Sequence, residues 1–246
     1  MVDAMDIETL QVGDNYIYVL IEGDRAAVVD PGVSAPVTAL LRERGLTLEL
    51  ILITHYHGDH TGGVAALRQA ADCRVAGPSG GAIGVDPVVH DGEVVGFAGH
   101  VIEVLEVVGH TDCDVAYYLP AAKALFTGDV LFSGGCGRVL GGQMAQMWLS
   151  ILKLRALPDD TYLYGGHDYT IDNLEFAAHL EPDNRDVRER LVRVETGDET
   201  AATLAEEKRT NPFLRCDSDA IAEAIGRPDD DAAEVFAAVR RRKDRW

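Results

Sequence analysis

The stretch LELILITHYHGDH, residues 48–60, joins an apolar run to a loop in which three of the last seven residues are histidine. Residues 48–54 are mostly Leu and Ile, a composition typical of a strand buried on both faces. In α/β proteins, binding and catalytic residues gather where the strands end. The stretch therefore predicts an α/β fold in which this loop carries the chemistry of the protein.

The spacing within the loop predicts ligands for two metal ions. His55 and His57 are two residues apart, so in an extended segment both imidazoles point to one side and can bind one ion. Gly58 allows a sharp turn, after which Asp59 and His60 point elsewhere, toward a second ion. The alternative is a polar loop with incidental histidines. However, five of the eight histidines lie in this loop or in two Gly-His turns, which favours metal binding.

Three further side chains stand beside the ends of predicted strands. They are His110 in Gly-His-Thr, Asp129 in Thr-Gly-Asp and His167 in Gly-Gly-His. Each is a weak signal alone, because such dipeptides are common in turns. Together with the loop they predict two sites with these ligands: His55, His57 and His110 for one metal, Asp59, His60 and His167 for the other, and Asp129 as a bridge.

The predicted ligand set favours a catalytic site over a structural one. Two divalent cations with two carboxylates and five neutral imidazoles keep a positive charge, which lowers the pKa of a bound water. Structural zinc sites are usually closed and rich in cysteine, whereas each predicted metal here lacks a full protein set. We therefore expect a metal-activated hydroxide as the nucleophile, with Asp59 and Asp129 as catalytic residues.

Outside the loop, the pattern changes from strands to helices near residue 170. Residues 15–22 and 25–30 flank Gly-Asp and predict a β-hairpin, and residues 35–44 predict a helix. The other predicted strands are residues 101–108, 115–119, 124–127 and 161–164. The last predicted segments are charged helices at residues 173–180, 185–194, 203–208 and 230–242. We therefore expect a mixed α/β domain at residues 1–170 and a helical domain at residues 171–246.

The composition excludes several classes of protein. Of the 246 residues, 47% are hydrophobic and 26% charged, which is ordinary for a globular chain and argues against long disorder. The net charge of −19 argues against a nucleic-acid partner. The start is acidic without a signal-like apolar segment, no stretch is long enough to span a membrane, and the four cysteines form no C-x-x-C pair. We therefore expect a cytoplasmic protein with free thiols, no membrane partner, and a monomeric or weakly homo-oligomeric state.

The motifs together resemble those of one enzyme superfamily. The H-x-H-x-D-H run, Gly-His-Thr, Thr-Gly-Asp and the late Gly-His are similar to the metallo-β-lactamase superfamily. Within it, the chain resembles the type II glyoxalases, or hydroxyacylglutathione hydrolases. The further similar stretches are VDPG at residues 29–32, LF through GCGR at 131–138, GHDYT at 166–170, NPFLR at 211–215 and RRRKD at 240–244.

This resemblance implies a fold, a cofactor and a substrate. The implied fold is a four-layer αββα sandwich followed by a helical domain. The implied cofactor is a pair of divalent metal ions, with zinc expected first and iron or manganese equally compatible with the ligand types. The implied reaction is hydrolysis of S-D-lactoylglutathione to D-lactate and glutathione. Carried over by motif, the glutathione contacts are Arg138, Tyr169, Arg240 and Lys243.

Several alternatives stay open at this point. The same scaffold serves persulfide dioxygenases with one iron and lactonases, and a non-catalytic metal-binding module is a further possibility. Arg240 and Lys243 share one helix face and can bind a substrate carboxylate, or they can compensate the dipole of a solvated terminal helix. Asp30 either supports the histidine loop or belongs to a plain Asp-Pro-Gly turn.

The chain also departs from the resemblance at two places. Leu140 stands where the family commonly has a tyrosine that contributes to glutathione binding. Cys113 and Asp114 follow Gly-His-Thr where the family usually has x-Gly-His, and the sequence does not assign a role to Asp114. These differences bear on thiol specificity and leave the predicted metal ligands intact.

Overall fold

The computed structural model describes residues 5–81, 83–197 and 201–246. The described residues form two compact units that interleave along the chain. The first unit comprises the described residues of 5–106 and 113–128, and the second comprises those of 107–112 and 129–246. Each unit therefore contains segments that are distant in sequence.

The first unit contains a five-stranded sheet whose strands follow chain order. Its strands are β1 (Asp6–Val12), β2 (Asn15–Glu22), β3 (Arg25–Val29), β4 (Thr47–Leu52) and β5 (Arg74–Ala76). The first three are antiparallel, and β3, β4 and β5 are parallel. The predicted hairpin of β2 and β3 is confirmed, with Gly23 at a positive φ of 62° in its turn. Helix α1 (Ala35–Arg44) lies in the crossover between β3 and β4. The short helix α2 (Gly58–Thr61) and helix α3 (Val64–Ala70) lie in the crossover between β4 and β5, and parallel strands require such connections.

The same unit contains four antiparallel strands that pack on the first sheet. They are β6 (Val94–Phe97), β7 (His100–Glu106), β8 (Val115–Leu119) and β9 (Ala124–Gly128). The Tyr117 hydroxyl on β8 donates to the Ile53 carbonyl at 2.8 Å, and the rings of Tyr18 and Phe126 lie 5.4 Å apart. On the other face of the first sheet, Val37 of α1 and Leu67 of α3 complete a buried cluster. The predicted α/β sandwich is confirmed by these layers.

The second unit is mainly helical. Its strands are the short β10 (Leu131–Phe132), β11 (Gly135–Cys136) and β12 (Tyr162–Gly165). Its helices are α4 (Met144–Arg155), α5 (Thr170–Leu180), α6 (Arg185–Glu195), α7 (Leu204–Thr210), α8 (Asp219–Ala224) and α9 (Ala232–Lys243). The expected change to helices is confirmed among the described residues after 170.

Side-chain caps explain where several of these helices begin. Asn184, Thr203, Ser218 and Asp231 each accept a hydrogen bond from the backbone N–H three residues later. Such caps satisfy N–H groups that have no partner within the helix. They are the local sequence signals from which the C-terminal helices can be predicted.

The described structure also bears on two expectations from composition. Cys73, Cys113, Cys136 and Cys216 all carry free thiols, as expected, and the last two are buried. None of the described helices has both the length and the apolarity needed to cross a bilayer.

Candidate active site

The histidine loop of the first unit is held by one buried carboxylate, Asp30. The Asp30 carboxylate accepts hydrogen bonds from the Thr54 backbone N–H at 2.8 Å and from the Thr54 hydroxyl at 2.6 Å. Because the hydroxyl proton points to Asp30, the Thr54 oxygen is left to accept from Nδ1 of His55, 3.0 Å away. This contact assigns the His55 proton to Nδ1 and leaves Nε2 with a lone pair for a metal.

Asp30 fixes a second imidazole in the same way. Nδ1 of the fully buried His60 lies 3.0 Å from the Asp30 carboxylate, so Nε2 of His60 also keeps its lone pair. Oδ2 of Asp59 lies 3.8 Å from this Nε2. The half-exposed Asp59 is steadied by Asn15, whose side-chain amide donates to the Asp59 carboxylate at 3.2 Å. Asp30 thus supports the loop and does more than form a turn.

His55 and His57 converge as a pair of ligands would. Nε2 of His55 lies 3.1 Å from Nδ1 of His57. Two nitrogens bound to one tetrahedral zinc are separated by about 3.3 Å, since each lies about 2.0–2.1 Å from the ion. The observed separation therefore fits a shared metal, and the imidazole and carboxylate donors of this loop suit zinc, iron or manganese.

The second unit brings the other three predicted ligands together. Oδ2 of Asp129 lies 3.5 Å from Nε2 of His110 and 3.3 Å from Nε2 of His167, and all three residues are buried. Nδ1 of His110 lies 2.8 Å from the Arg138 carbonyl, which assigns its proton and leaves Nε2 as a donor to a metal. A side chain at Gly137 would meet the Asp129 carbonyl at 1.8 Å, so glycine is required there.

A cavity of about 330 Å³ opens beside this second set of ligands. All four predicted substrate contacts line it, together with two predicted metal ligands. The lining residues are His110, Asp129, Phe132, Cys136, Gly137, Arg138, Tyr169, Asp172, Asn173, Arg240, Lys243 and Asp244. The cavity has the size of a small-molecule site and offers cationic groups next to candidate metal ligands.

Comparison with known proteins assigns the family. Residues 10–167 match the family model described as "Metallo-beta-lactamase superfamily", and residues 168–246 match "Hydroxyacylglutathione hydrolase C-terminus". A hydroxyacylglutathione hydrolase from Methylococcus capsulatus (strain Bath) is 43% identical over 254 residues, covering 99% of this chain and 98% of the relative. The chain belongs to the hydroxyacylglutathione hydrolase family. As a member of that family and of the metallo-β-lactamase superfamily, it is a metal-dependent hydrolase.

Solved structures agree on the fold. ETHE1 from Myxococcus xanthus has a TM-score of 0.68 and 28% identity, covering 97% of this chain and 98% of that one. TTHA1623, solved in a di-iron-bound form, has a TM-score of 0.61 and 27% identity, covering 85% of this chain and 99% of that one. The metallo-β-lactamase sandwich implied by the sequence resemblance is thereby confirmed.

Arg240 and Lys243, two of the predicted glutathione contacts, are more buried than residues on a solvated terminal helix would be. The side chains of Arg240 and Lys243 are only 5% and 7% exposed, because α9 turns this face inward to the cavity. Arg138 and Tyr169 are exposed. The ring of Tyr169 stacks on His167 with centroids 5.0 Å apart, which holds the tyrosine at the rim of the cavity.

The cavity also contains residues that the sequence did not single out. Asp172, Asn173 and Asp244 line it, and each lies within five residues of a predicted contact. Cys136 is buried at the cavity, where burial raises the pKa of its thiol to about 11 against the opposing effect of Arg240. A thiol with this pKa is neutral near pH 7, and the neutral thiol is not the nucleophilic form of cysteine.

The residues at which the chain departs from the family pattern differ in their exposure. Leu140 is 57% exposed, and Asp114 is buried in the first unit. Cys113 is partly buried and interacts with Tyr56, whose pKa is raised mainly by burial. The tyrosine hydroxyl that the family commonly supplies at position 140 is replaced by an exposed apolar side chain.

The contacts of Asp30 lead to a prediction about metal affinity. We expect Asp30→Asn to weaken metal binding about 10–100-fold. Asparagine tolerates the positive φ of 49° at this position, but its NH₂ group donates where the carboxylate accepts. His60 then accepts at Nδ1 and carries its proton on Nε2, which can no longer bind a metal. Competition with a chromophoric chelator measures the affinity, and Asp24→Asn, in the exposed hairpin turn, is the charge-matched control. Equal affinity in the Asp30→Asn and unmodified proteins would contradict the role of Asp30.

Proposed function

We propose that the protein hydrolyses S-D-lactoylglutathione to D-lactate and glutathione. The observation that carries this proposal is the cavity, where His110 and Asp129 lie in the same space as a set of groups suited to an anionic thiol. Those groups are the cations Arg138, Arg240 and Lys243 and the aromatic Tyr169. The relatives named hydroxyacylglutathione hydrolase support the same substrate.

We further propose that the seven predicted ligands hold two divalent ions, with zinc expected first. The support is chemical: three of the imidazoles have their Nδ1 engaged by Thr54, Asp30 or the Arg138 carbonyl, which leaves Nε2 for a metal. The chemistry that divalent ions supply to such a set is polarisation of a carbonyl and acidification of a water. The proposed ligands are His55, His57, Asp59, His60, His110, Asp129 and His167. In this assignment residues 1–170 are the catalytic domain and residues 171–246 the substrate-binding domain.

The residues of the chain bind and orient the thioester. Glutathione carries two carboxylates, which a protein of net charge −19 repels except where cations are concentrated. Arg138, exposed at the cavity, is placed to pair with one of them, and Tyr169 offers an aromatic face to the peptide. Oδ2 of Asp129 lies within 3.5 Å of Nε2 of His110 and Nε2 of His167, so a divalent ion held by these atoms would lie beside the cavity in which the thioester is oriented.

The balance of the reaction requires no general acid from the chain. Water adds to the thioester carbonyl, the C–S bond breaks, and the products are lactate, a proton and a thiol. The leaving thiolate has a conjugate acid of pKa about 8.5, as for cysteine, so it departs without protonation. The four free thiols of the protein fit the reducing cytoplasm in which we place this monomeric or weakly homo-oligomeric enzyme.

A single assay tests the function. We expect the metal-loaded protein to release one thiol for each S-D-lactoylglutathione consumed, without uptake of oxygen. Thiol release is followed with a disulfide reagent and oxygen with an electrode. S-D-lactoyl-N-acetylcysteamine, which has the same acyl group but no carboxylates, is the control substrate and should show a raised KM. Oxygen uptake with glutathione persulfide would instead identify a dioxygenase, and turnover of neither thioester would defeat the hydrolase proposal.

A further inference from the structure

The charges around the cavity nearly cancel, although glutathione is an anion. Three cations line it, Arg138, Arg240 and Lys243. Three carboxylates line it as well: Asp129, which we propose as a metal ligand, and Asp172 and Asp244. Asp172 is paired with Lys243, and Asp244 is paired with Arg240. The proposed function assigns both of these cations to substrate binding, so a carboxylate of the ligand reaches cations that already have a carboxylate partner.

Lys243 is paired with Asp172 in an asymmetric contact. Its ammonium donates to the Asp172 backbone carbonyl at 2.8 Å and also contacts the Asp172 carboxylate. The Lys243 side chain is 7% exposed, whereas the Asp172 side chain is 60% exposed. Burial lowers the pKa of Lys243, and the hydrogen bond that Lys243 donates to the Asp172 carboxylate opposes that shift. Asp172 therefore covers a buried ammonium from the solvent side.

The pairing of Arg240 is of a different kind. Its guanidinium donates to the Cys136 carbonyl at 2.7 Å and to Asp244 at 3.1 Å, and it lies over the Phe213 ring at 5.1 Å. Asp244 lies four residues after Arg240, which is about one helical turn. Arg240 is thus held by a backbone carbonyl, a ring and a carboxylate of its own segment. The ammonium of Lys243 also lies over a ring, that of Phe176 at 5.3 Å, but the carboxylate that covers it is 60% exposed.

We propose that Asp172 is a specificity-determining residue, an internal carboxylate that occupies Lys243 until a carboxylate of the glutathione moiety replaces it. This inference rests on the proposed function and explains how the substrate cavity selects ligands that carry carboxylates. In the exchange one carboxylate leaves the ammonium as another arrives, so the buried charge stays paired in both states. A ligand without carboxylates cannot make the exchange, and a ligand with them gains less than it would at an unpaired lysine.

The exchange has a consequence that a structural role for Asp172 does not share. If Asp172 competes with the ligand, its neutralisation strengthens the binding of glutathione. If Asp172 only orders Lys243, its neutralisation weakens binding, because the lysine is no longer held at the cavity. The two roles therefore predict changes in affinity of opposite sign.

The test is a calorimetric titration of the metal-loaded protein with two probes, glutathione and glutathione in which both carboxylates are ethyl esters. We expect Asp172→Asn to lower the Kd for glutathione about two- to fivefold, the size of one exposed ion pair, and to leave the Kd for the diester unchanged. Glu175→Gln is the matched control, since Glu175 is exposed on the same helix one turn later and acts on Lys243 only at longer range. That variant should leave both constants unchanged.

The other possible outcomes distinguish failure of this inference from failure of the proposed function. Unchanged or weaker glutathione binding by Asp172→Asn overturns the exchange, and so does equal tightening of both probes. If Asp172→Asn does not fold, Asp172→Ser, which also removes the charge and suits a helix start, is judged by the same result. If the unmodified protein neither binds glutathione nor turns over the thioester, the proposed function and this inference fail together. Thioester turnover without glutathione binding, or with a negative variant result, overturns the inference alone.

Discussion

Replacing Asp129 by alanine is expected to lower kcat for S-D-lactoylglutathione by about a thousandfold, the scale at which loss of a preorganised electrostatic group reduces catalysis. Oδ2 of Asp129 lies 3.5 Å from Nε2 of His110 and 3.3 Å from Nε2 of His167, so one carboxylate and two imidazoles direct their metal-binding atoms to one place. In the proposed assignment Asp129 would also be the ligand shared by the two ions. Its loss removes a negative charge from the place where two positive ions must lie together.

The measurement combines steady-state kinetics with metal analysis of the same preparation. We expect Asp129→Ala to retain no more than one metal equivalent, to lose kcat, and to keep a glutathione Kd within a few fold of the unmodified protein. Asp112→Asn removes the same charge from an exposed position in the neighbouring loop and should retain activity. Substantial turnover by Asp129→Ala with both metals present would contradict the bridging role. Equal and negligible activity in the variant and the unmodified protein would defeat the enzyme assignment itself.

The metal ligands of the histidine loop could be proposed from sequence because they depend on local spacing. The i and i+2 positions of His55 and His57 place two imidazoles on one side of an extended chain, and the structure brings their nitrogens to 3.1 Å. The role of Asp30 depends instead on a distant pairing. Parallel β3 and β4 place Val29 opposite Leu52, which brings Asp30 beside Thr54. The register in which β3 pairs with β4 depends on the crossover between them, and it cannot be predicted from residue spacing.

Elements without a clear local signal were not predicted. The strands β10 and β11 are two residues long, too short to show any period. Helix α4 has Gln143 as its N-cap, a residue outside the usual set of cap residues, after two glycines. Its buried Met147, Ile151 and Leu154 have helical spacing, so hydrophobic periodicity was the signal that could have found it. In the same way, the spacing of Arg240 and Lys243 predicts a shared face and does not reveal Asp172, which is 71 residues away.

The second large effect concerns stability, and it involves an arginine and a glutamate that are both fully buried. We expect Arg190→Met to lower the free energy of unfolding by about 3–5 kcal/mol, the range for removing one partner of a buried ion pair. NH2 of Arg190 lies 2.6 Å from the Glu207 carboxylate, and neither side chain is exposed. Methionine replaces much of the arginine volume, so the expected loss comes from a buried, uncompensated carboxylate. The midpoint and slope of urea unfolding measure the change.

Glu207 links this pair to the loop that leads into the cavity. Its carboxylate accepts from the Gly134 N–H at 3.0 Å and from the Asn211 side chain at 2.9 Å, and Arg190 also donates to the Ser133 hydroxyl. The double variant Arg190→Met with Glu207→Gln removes both charges while an amide oxygen still accepts from Gly134. If the buried charge is the cause, the double variant recovers most of the stability lost by Arg190→Met. If lost packing and hydrogen bonds of the guanidinium are the cause, the second substitution adds to the loss, because those contacts stay absent and Glu207 gives up a charged acceptor.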